Sequence, residues 1–455
     1  MTVMMTTVAL ALALALEQAQ AQESNPNPPP VAPAVPEEQV APDAPAGAVI
    51  TLDEALRIAG ERNLDLRVLA AQLDQADEIS WKAWSSYLPQ LVASGSYTRQ
   101  KEVVVPLLPA PAPPIELQKE DLLAAQVDLT QTLVSPQAWF AIRGAHRTER
   151  ASSLSIDNGR RDVLFGVART YYGVASLKEA VGVSERLLEI ARRQEKDARV
   201  RYQAGAIAKV GLLRAEIDRA RAEQDLKRSR NAFLSARVAL ATLLDRDTAF
   251  EVASPPEPAI PAPDAEVLVK QALRDRPDVE AARVQVEAER ANRNAAWGRY
   301  FPDLQAFGRY QWANTEGLTG QKDSWSGGLQ AQWTILDGLL RESDIRTGNA
   351  RVTEAEARAG GTVLRARQEV EQALLDHDSA RANANKAKEQ RDLAAENQRL
   401  VDVAYRAGTS TAVEQADATA ALRNAEIAVV TETLNAQLAG LQVLRSVGAF
   451  APRGK

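Results

Sequence analysis

The chain contains one segment twice. Residues 64–91 align without a gap with residues 277–304, which lie 213 positions further along. Within this alignment Trp84 matches Trp297, Tyr87 matches Tyr300 and Pro89 matches Pro302. Later in each half, the sequence RYQAG at 201–205 recurs as AYRAG at 404–408. A duplication of this size means that whatever the first half builds, the second half builds again beside it.

Composition narrows what the two halves can form. Hydrophobic residues make up 45% of the 455 residues but aromatic residues only 5%, which is typical of long, closely packed helices. The absence of cysteine excludes disulfides, thiolate metal sites and a lipid-bearing cysteine. A formal net charge of −6 argues against nucleic acid as a partner.

The N-terminal part predicts secretion. An apolar run at 3–16 precedes Ala19-Gln20-Ala21, a small-x-small cleavage signal, so residues 1–21 are predicted to be a signal peptide. The usual basic residues are missing, since none precedes Arg57. A membrane anchor is less favoured, because about 14 apolar residues fall short of the roughly 20 that span a bilayer.

Residues 22–48 are predicted to form a Pro-rich, disordered linker. No later run looks apolar enough for a membrane helix, so a membrane-spanning part is expected to consist of strands.

Helical periodicity gives way to alternation after each repeated proline. A helix is predicted from Thr51 to about Tyr87, and Pro89 ends it because proline lacks a backbone donor. Strands are then predicted, in two pairs, at about 90–104, 121–134, 303–313 and 325–336. Each is apolar on one side and polar on the other, as in a transmembrane barrel strand. A soluble half-buried strand alternates in the same way. The predicted barrel aromatics are Tyr97, Tyr310, Trp312, Trp325 and Trp333.

The remaining segments predict long helical hairpins. Apolar residues recur every seven positions from about 139 to 202, which indicates a coiled-coil helix roughly 90 Å long. The second half repeats this pattern from about 339 to 405. Gly205 and Gly408 stand where each helix must end and turn back. The predicted boundaries are a first repeat at 49–250, a linker at 251–263, a second repeat at 264–448 and a tail at 449–455.

Residues for catalysis are scarce. His146 and His377 are the two histidines, and both are expected to be solvated. The sequence contains no P-loop, no dinucleotide-binding glycine turn and no His-Glu-x-x-His helix. We therefore expect a protein that is not an enzyme and that carries no cofactor or metal.

The order helix, strand pair, long hairpin, repeated once, resembles the TolC family of outer-membrane efflux proteins. The likeness covers about Val49–Gly448 and rests on the helix–Tyr-x-Pro–strand passages and on the tip turns at Gly205 and Gly408. It implies a mainly α fold with a transmembrane β-barrel portion. Three identical chains would form a twelve-stranded barrel in the outer membrane of a Gram-negative-type cell, continued by a helical coiled-coil tunnel in the periplasm. It also implies a periplasmic adaptor and an inner-membrane pump as partners, lipid around the barrel, and no nucleic acid.

The resemblance also implies two sets of functional residues at the hairpin tips. The periplasmic gate would consist of Glu414, Asp417 and Tyr405, with the carboxylates of three chains forming rings that bind cations and raise each other's pKa. The usual role of such a Glu/Asp pair is simply a solvated helix face. The adaptor-contact residues would be Arg201, Tyr202, Gly205, Ala404, Tyr405 and Gly408. The chain departs from the family at Ser410 and Gly211, which removes polar ties that could hold the tip shut.

Two functions remain open at this level. The favoured one is a passive exit duct of a tripartite efflux or type I secretion system. The alternative is a non-conducting coiled-coil scaffold in the periplasm. The alternating strands favour the duct, because a scaffold has no use for a lipid-facing sheet.

Overall fold

The computed structural model describes residues 47–99, 120–260, 264–315 and 321–450. The predicted signal peptide, nearly all of the predicted Pro-rich linker, the strand extension at 100–104 and the tail beyond residue 450 lie outside these ranges.

The duplication is visible in the lengths of the helices. Each of the four helical elements in the first half has a counterpart of the same length in the second. These pairs are α1 Leu52–Arg62 and α5 Ala265–Asp275 (11 residues), α2 Leu64–Ser85 and α6 Pro277–Gly298 (22), α3 Pro136–Gln203 and α7 Leu340–Ala407 (68), and α4 Lys209–Leu243 and α8 Ala412–Ser446 (35). At 1.5 Å per residue the two longest helices each extend about 100 Å.

The first predicted helix is interrupted, which the sequence reading missed. Asn63 ends α1, and its side chain accepts a hydrogen bond from the backbone N–H of Leu66, so it caps α2. The same side chain donates to the carbonyl of Leu243 at 2.8 Å. The repeat carried the missing signal: Leu64 aligns with Pro277, the first residue of α6, and proline favours that helix position.

In the described ranges, six strands form two sheets. They are β1 Ala48–Ile50, β2 Gln90–Arg99, β3 Asp121–Val134, β4 Phe250–Val252, β5 Asp303–Ala313 and β6 Asp323–Gln332. Strands β1 and β4 pair in parallel, and the other four form an antiparallel sheet in the order β2-β3-β5-β6. Two predicted boundaries were wrong: β6 ends at Gln332 rather than 336, and the predicted linker at 251–263 begins within β4. Short parallel pairing between distant segments leaves no periodic signal in so few residues.

The main core lies where β1 and β4 meet the middle of the long helices. It contains buried residues of α1, α3 and α4, together with Leu441 of α8. Tyr171 is fully buried there and its hydroxyl donates to the carbonyls of Ile50 and Ala253, at 2.7 and 3.0 Å. Burial raises the pKa of Tyr171 to about 12, so this hydroxyl stays protonated as a donor. The core therefore ties the start of the first repeat to its end.

One described helix, α8, contradicts the expectation that no helix is apolar enough to cross a membrane. By length and composition alone, α8 is long and apolar enough to cross a membrane. The same criterion is met by helices that pack within proteins, and α8 packs along α7 in the second hairpin.

Candidate functional site at the hairpin tips

Both tip turns are built by a glycine with positive φ. Gly205 has φ +72° and Gly408 has φ +81°, a region that favours glycine because a Cβ is strained there. In the first turn the N–H of Ala206 donates to the carbonyl of Arg201, at 2.9 Å. In the second, the N–H of Thr409 donates to the carbonyl of Ala404, also at 2.9 Å. These six-to-one bonds define the Schellman motif that ends a helix and reverses the chain.

Arg201 joins the two tips. Its guanidinium donates from Nη1 to the carbonyl of Tyr405 at 2.9 Å and from Nη2 to the carbonyl of Arg406 at 3.0 Å. The guanidinium carbon also lies 4.8 Å from the centre of the Tyr405 ring. A cation at the C-terminal end of α7 meets the negative end of the helix dipole, so these contacts reinforce one another.

Tyr405 is buried in the second tip. Its side chain is 7% exposed, beneath Arg201. Among the predicted contact residues, Tyr202, Gly205 and Gly408 are exposed, while Ala404 is half-buried. In this conformation little of the Tyr405 side chain is open to a partner protein, and its role as an adaptor contact stays a prediction.

Glu414 caps the start of α8. Its carboxylate accepts hydrogen bonds from the hydroxyl of Ser410 at 2.6 Å and from the backbone N–H of Thr411 at 2.7 Å. The Thr411 hydroxyl in turn accepts from the Glu414 N–H, which completes a capping box. These bonds, that of Ser410 first, lower the pKa of Glu414. Within one chain the direction is opposite to the rise expected from crowded carboxylates, because the hydrogen bonds favour the charged form.

Asp417 is exposed one turn further along α8. Within the described residues its carboxylate forms no hydrogen bond or ion pair. Of the two predicted gate carboxylates, Asp417 is thus the one whose charge is not committed to a neighbour in its own chain.

The first tip has neither the capping box nor the acidic pair of the second. At the offset of 203 that relates the turns, Gly211 stands for Glu414, Arg214 for Asp417 and Ala208 for Thr411. Ala208 provides no side-chain hydrogen bond to the start of α4. The two tips therefore have the same backbone but different chemistry, and the acidic pair belongs to the second alone.

Sequence reasoning missed a polar cluster just above the second turn. Asp402 accepts a hydrogen bond from Gln415 at 2.8 Å and pairs with Arg406 at 2.9 Å. Arg406 also lies 3.6 Å from Asp197 of the first hairpin. The spacing of Asp402 and Arg406, four apart on one helix, was a signal for the first pair, whereas the contact with Asp197 has no local signature.

One of the two histidines is solvated, as expected: the side chain of His146 is 53% exposed. The Nδ1 of His146 lies 2.9 Å from the Ser80 hydroxyl, and its Nε2 accepts from the Trp84 indole at 3.3 Å, so it links α3 to α2. His377 has 17% of its side chain exposed. The expectation of a solvated side chain therefore holds for His146 and not for His377.

The four-stranded sheet has one apolar and one polar face, as the alternation predicted. Residues that pair across an antiparallel ladder lie on the same face. One row of paired residues contains Ala93, Val127, Tyr310 and Trp325, and an adjacent row contains Ser94, Gln126, Gln311 and Ser324. On the apolar face Trp325 is 79% exposed and Leu329 68%. An exposed apolar patch of this kind marks a surface that meets lipid or protein.

The predicted barrel aromatics fall in two groups. Tyr97, Tyr310, Trp312 and Trp325 lie on strands, toward the end of the sheet that bears Asp121 and Asp323. The Tyr97 hydroxyl donates to Asp121 at 2.7 Å. Trp333 lies past the end of β6, where its indole N–H donates to the carbonyl of Tyr300 at 3.1 Å. It therefore anchors the passage from strand to helix instead of belonging to a strand.

Comparisons with known proteins agree with this architecture. The model of the outer membrane efflux protein family matches residues 55–246 and 268–449, one stretch in each half. Nodulation protein T of Rhizobium leguminosarum bv. trifolii is 23% identical over 373 residues, covering 78% of this chain and 76% of that protein. The outer membrane protein VceC of Vibrio cholerae has the same fold, with a TM-score of 0.73, 20% identity, and coverage of 87% of this chain and 96% of that one. The open state of the MtrE outer membrane channel of Neisseria gonorrhoeae superposes with a TM-score of 0.70 at 20% identity, covering 90% and 94%. None of these comparisons favours a non-conducting scaffold, and the chain belongs to the outer membrane efflux protein family.

Proposed function

We propose that three copies of this chain form a channel-tunnel that serves as the passive exit duct of a tripartite efflux or type I secretion system. The observation that carries this proposal is the four-stranded sheet. Within the described residues its outer strands β2 and β6 have no further partner, and its apolar face is exposed. Four strands cannot close a barrel around a passage, so the unpaired edges call for strands of other chains. Lipid of the outer membrane would cover the apolar face, and the polar face would line the passage.

The repeat supports the same assembly on the helical side. Within one chain α6 packs between α3 and α7. Its buried residues include five that share one face: Pro277, Ala281, Ala288, Ala291 and Gly298. The positions in α2 that align with these are all exposed: Leu64, Val68, Gln75, Glu78 and Ser85. If the halves pack alike, this face of α2 lies against α7 of the next chain. Three chains of two halves would then close a ring of six similar units.

The second tips would form the gate. In a trimer, Glu414 and Asp417 would place two rings of carboxylates near the end of the tunnel, and among the residues that the structure describes Asp417 has no hydrogen-bond or ion-pair partner. Concentrated negative charge at a narrow point binds cations. Tyr405 would hold the closed state through its packing under Arg201.

The tip surface would receive the periplasmic adaptor, which in turn connects to the inner-membrane pump. The exposed residues Tyr202, Gly205 and Gly408 support this, because they lie at the end of each hairpin. A duct of this kind transports no cargo by its own chemistry, so we propose no catalytic role for any residue.

Conductance of the purified protein in a planar lipid bilayer tests the duct and its gate together. We expect discrete channels that are cation-selective and blocked by di- or trivalent cations. The double variant Glu414→Ala/Asp417→Ala should lose most of the block, and Asp417→Asn alone should lose more of it than Glu414→Gln. Channels with unchanged block and selectivity in the double variant would refute the gate.

A further inference from the structure

The tips of the two hairpins of one chain are joined by a single side chain that binds backbone. Arg201 precedes Tyr405 by 204 residues, yet its guanidinium donates to two successive carbonyls in the last turn of α7, at 2.9 and 3.0 Å. A planar guanidinium suits two neighbouring acceptors, because its N–H groups point in a fixed fork. Both carbonyls lie in the last turn of α7, where a helix end lacks the donors of a following turn; that of Tyr405 also accepts from the N–H of Gly408 at 3.1 Å.

The burial of Tyr405 strengthens the hydrogen bonds that Arg201 donates to α7. Tyr405 is 7% exposed and its ring lies against the guanidinium, which keeps water from one side of the pair. Hydrogen bonds from a charged donor are stronger than neutral ones, and more so where they are shielded from solvent.

Other contacts between the hairpins are weaker or further from the tip. Arg406 and Asp197 are 3.6 Å apart and both are about half exposed, so salt screens this pair. Gln194 donates to the Thr419 hydroxyl at 2.9 Å, about two turns back along α3 from Arg201. At the tip itself, Arg201 makes the contact that an outward movement of the second hairpin must break.

We propose that Arg201 is a latch: it positions the tip of the second hairpin against the first, and the tunnel mouth opens when its two bonds to α7 break. The inference deepens the proposed function, since it assigns the residue that controls the gate. The latch uses the ring and the carbonyl of Tyr405, whereas the Tyr405 hydroxyl forms no hydrogen bond within the described residues. The first tip has no acidic acceptor at position 211, where the residue is glycine.

The ring and the carbonyl of Tyr405 take part in the latch and its hydroxyl does not. The latch can therefore be tested by measuring the distance between the tips, without measuring conductance. The chain has no cysteine, so spin labels can be placed at Ala206→Cys and Ala407→Cys alone, and mixing labelled chains with an excess of unlabelled chains restricts the measured distance to the two tips of one chain. Both positions are exposed. Arg201→Gln should move the distance distribution toward longer values, with roughly a tenfold rise in the opened population, corresponding to about 1.4 kcal/mol. Tyr405→Ala should act in the same direction, and Arg201→Lys should lie between, because an ammonium cannot bind both carbonyls in a fork.

Tyr405→Phe is the matched control and should leave the distribution unchanged. The latch is overturned if Arg201→Gln retains the wild-type distances while melting at the same temperature, or if Tyr405→Phe opens the tip as far as Arg201→Gln. If Arg201→Gln does not fold, Arg201→Lys takes its place: the latch then requires longer distances between the tips in Arg201→Lys than in Tyr405→Phe. Conductance separates the two proposals: longer distances in a protein that forms no channel would leave the latch in place and refute the duct.

Discussion

At the scale of single residues, the two tips differ in how their returning helices begin. Thr411 and Glu414 cap α8, whereas Ala208 leaves α4 uncapped although its backbone, at φ −71° and ψ 154°, has the extended geometry of a cap residue. We expect Thr411→Ala to destabilise the first turn of α8 by about 1 kcal/mol and Ala208→Ser to stabilise that of α4 by a similar amount. Hydrogen exchange at each tip measures both, and an equal effect on the two tips from either variant would contradict the assignment.

The cap also predicts a pH dependence. The pKa of Glu414 is lower in the folded tip than in an unfolded chain, where it is about 4.3. Its contribution to stability is therefore complete above that value and is lost as the pH falls through the lower, folded pKa. After correction for intrinsic exchange rates, the start of α8 should lose protection on acidification below about pH 4, and the start of α4 should not. Glu414→Gln should remove this difference between the tips.

At the scale of helices and strands, Gly298 shows how closely the repeats approach. A Cβ at this position would lie 2.5 Å from the backbone nitrogen of Gln137 and 2.8 Å from the carbonyl carbon of Pro136. Backbone cannot move aside as a side chain can, so Gly298→Ala should destabilise the fold by about 1–3 kcal/mol. Gly166→Ala in α3 is the control: nothing lies within 4 Å of its Cβ, and removing a helical glycine should stabilise by about 0.5–1 kcal/mol. Thermal unfolding of the two variants should shift in opposite directions; a shared direction would contradict this packing.

The elements also show what the sequence could and could not predict. Period-two alternation located all four sheet strands to within a few residues, because each strand has one apolar face. The end of β6 was missed, since Trp333 continues the alternation but turns to the Tyr300 carbonyl instead. The contact of Arg201 with α7 could not be predicted, because it joins residues 204 apart and uses backbone acceptors that any sequence offers. The break at Asn63 could have been found from Pro277, because Pro277 aligns with Leu64, the residue that follows Asn63.

At the scale of the whole molecule, the duplication becomes a prediction about assembly. Val68 is 55% exposed, whereas its counterpart Ala281 is 7% exposed against the rest of the chain. Val68→Glu should therefore abolish trimers without unfolding the single chain, because a carboxylate would be buried unpaired between subunits. Ala70→Glu on the same helix is the control, since Ala70 and its counterpart Arg283 are both exposed. Size-exclusion chromatography with light scattering separates the outcomes, and trimers of unchanged stability in Val68→Glu would place the interface elsewhere.

The two halves have the same fold but different residues at their tips. Both contribute strands and long hairpins of matching length, so each completes the wall of the proposed tunnel. The acidic pair, the capping box and the buried Tyr405 belong to the second half, and Arg201 of the first half binds the last turn of α7, which carries Tyr405. The proposed gate therefore uses both copies of the repeat, and it would account for tips that have diverged while their helices kept the same lengths.

The central claim is that three chains complete one another in the outer membrane. The mass of the protein, extracted from isolated outer membranes in mild detergent and measured by native mass spectrometry, tests this most directly. We predict a single dominant species of three copies that resists dissociation on mild heating. Recovery of the protein as a single-copy species in the soluble periplasmic fraction would contradict the account.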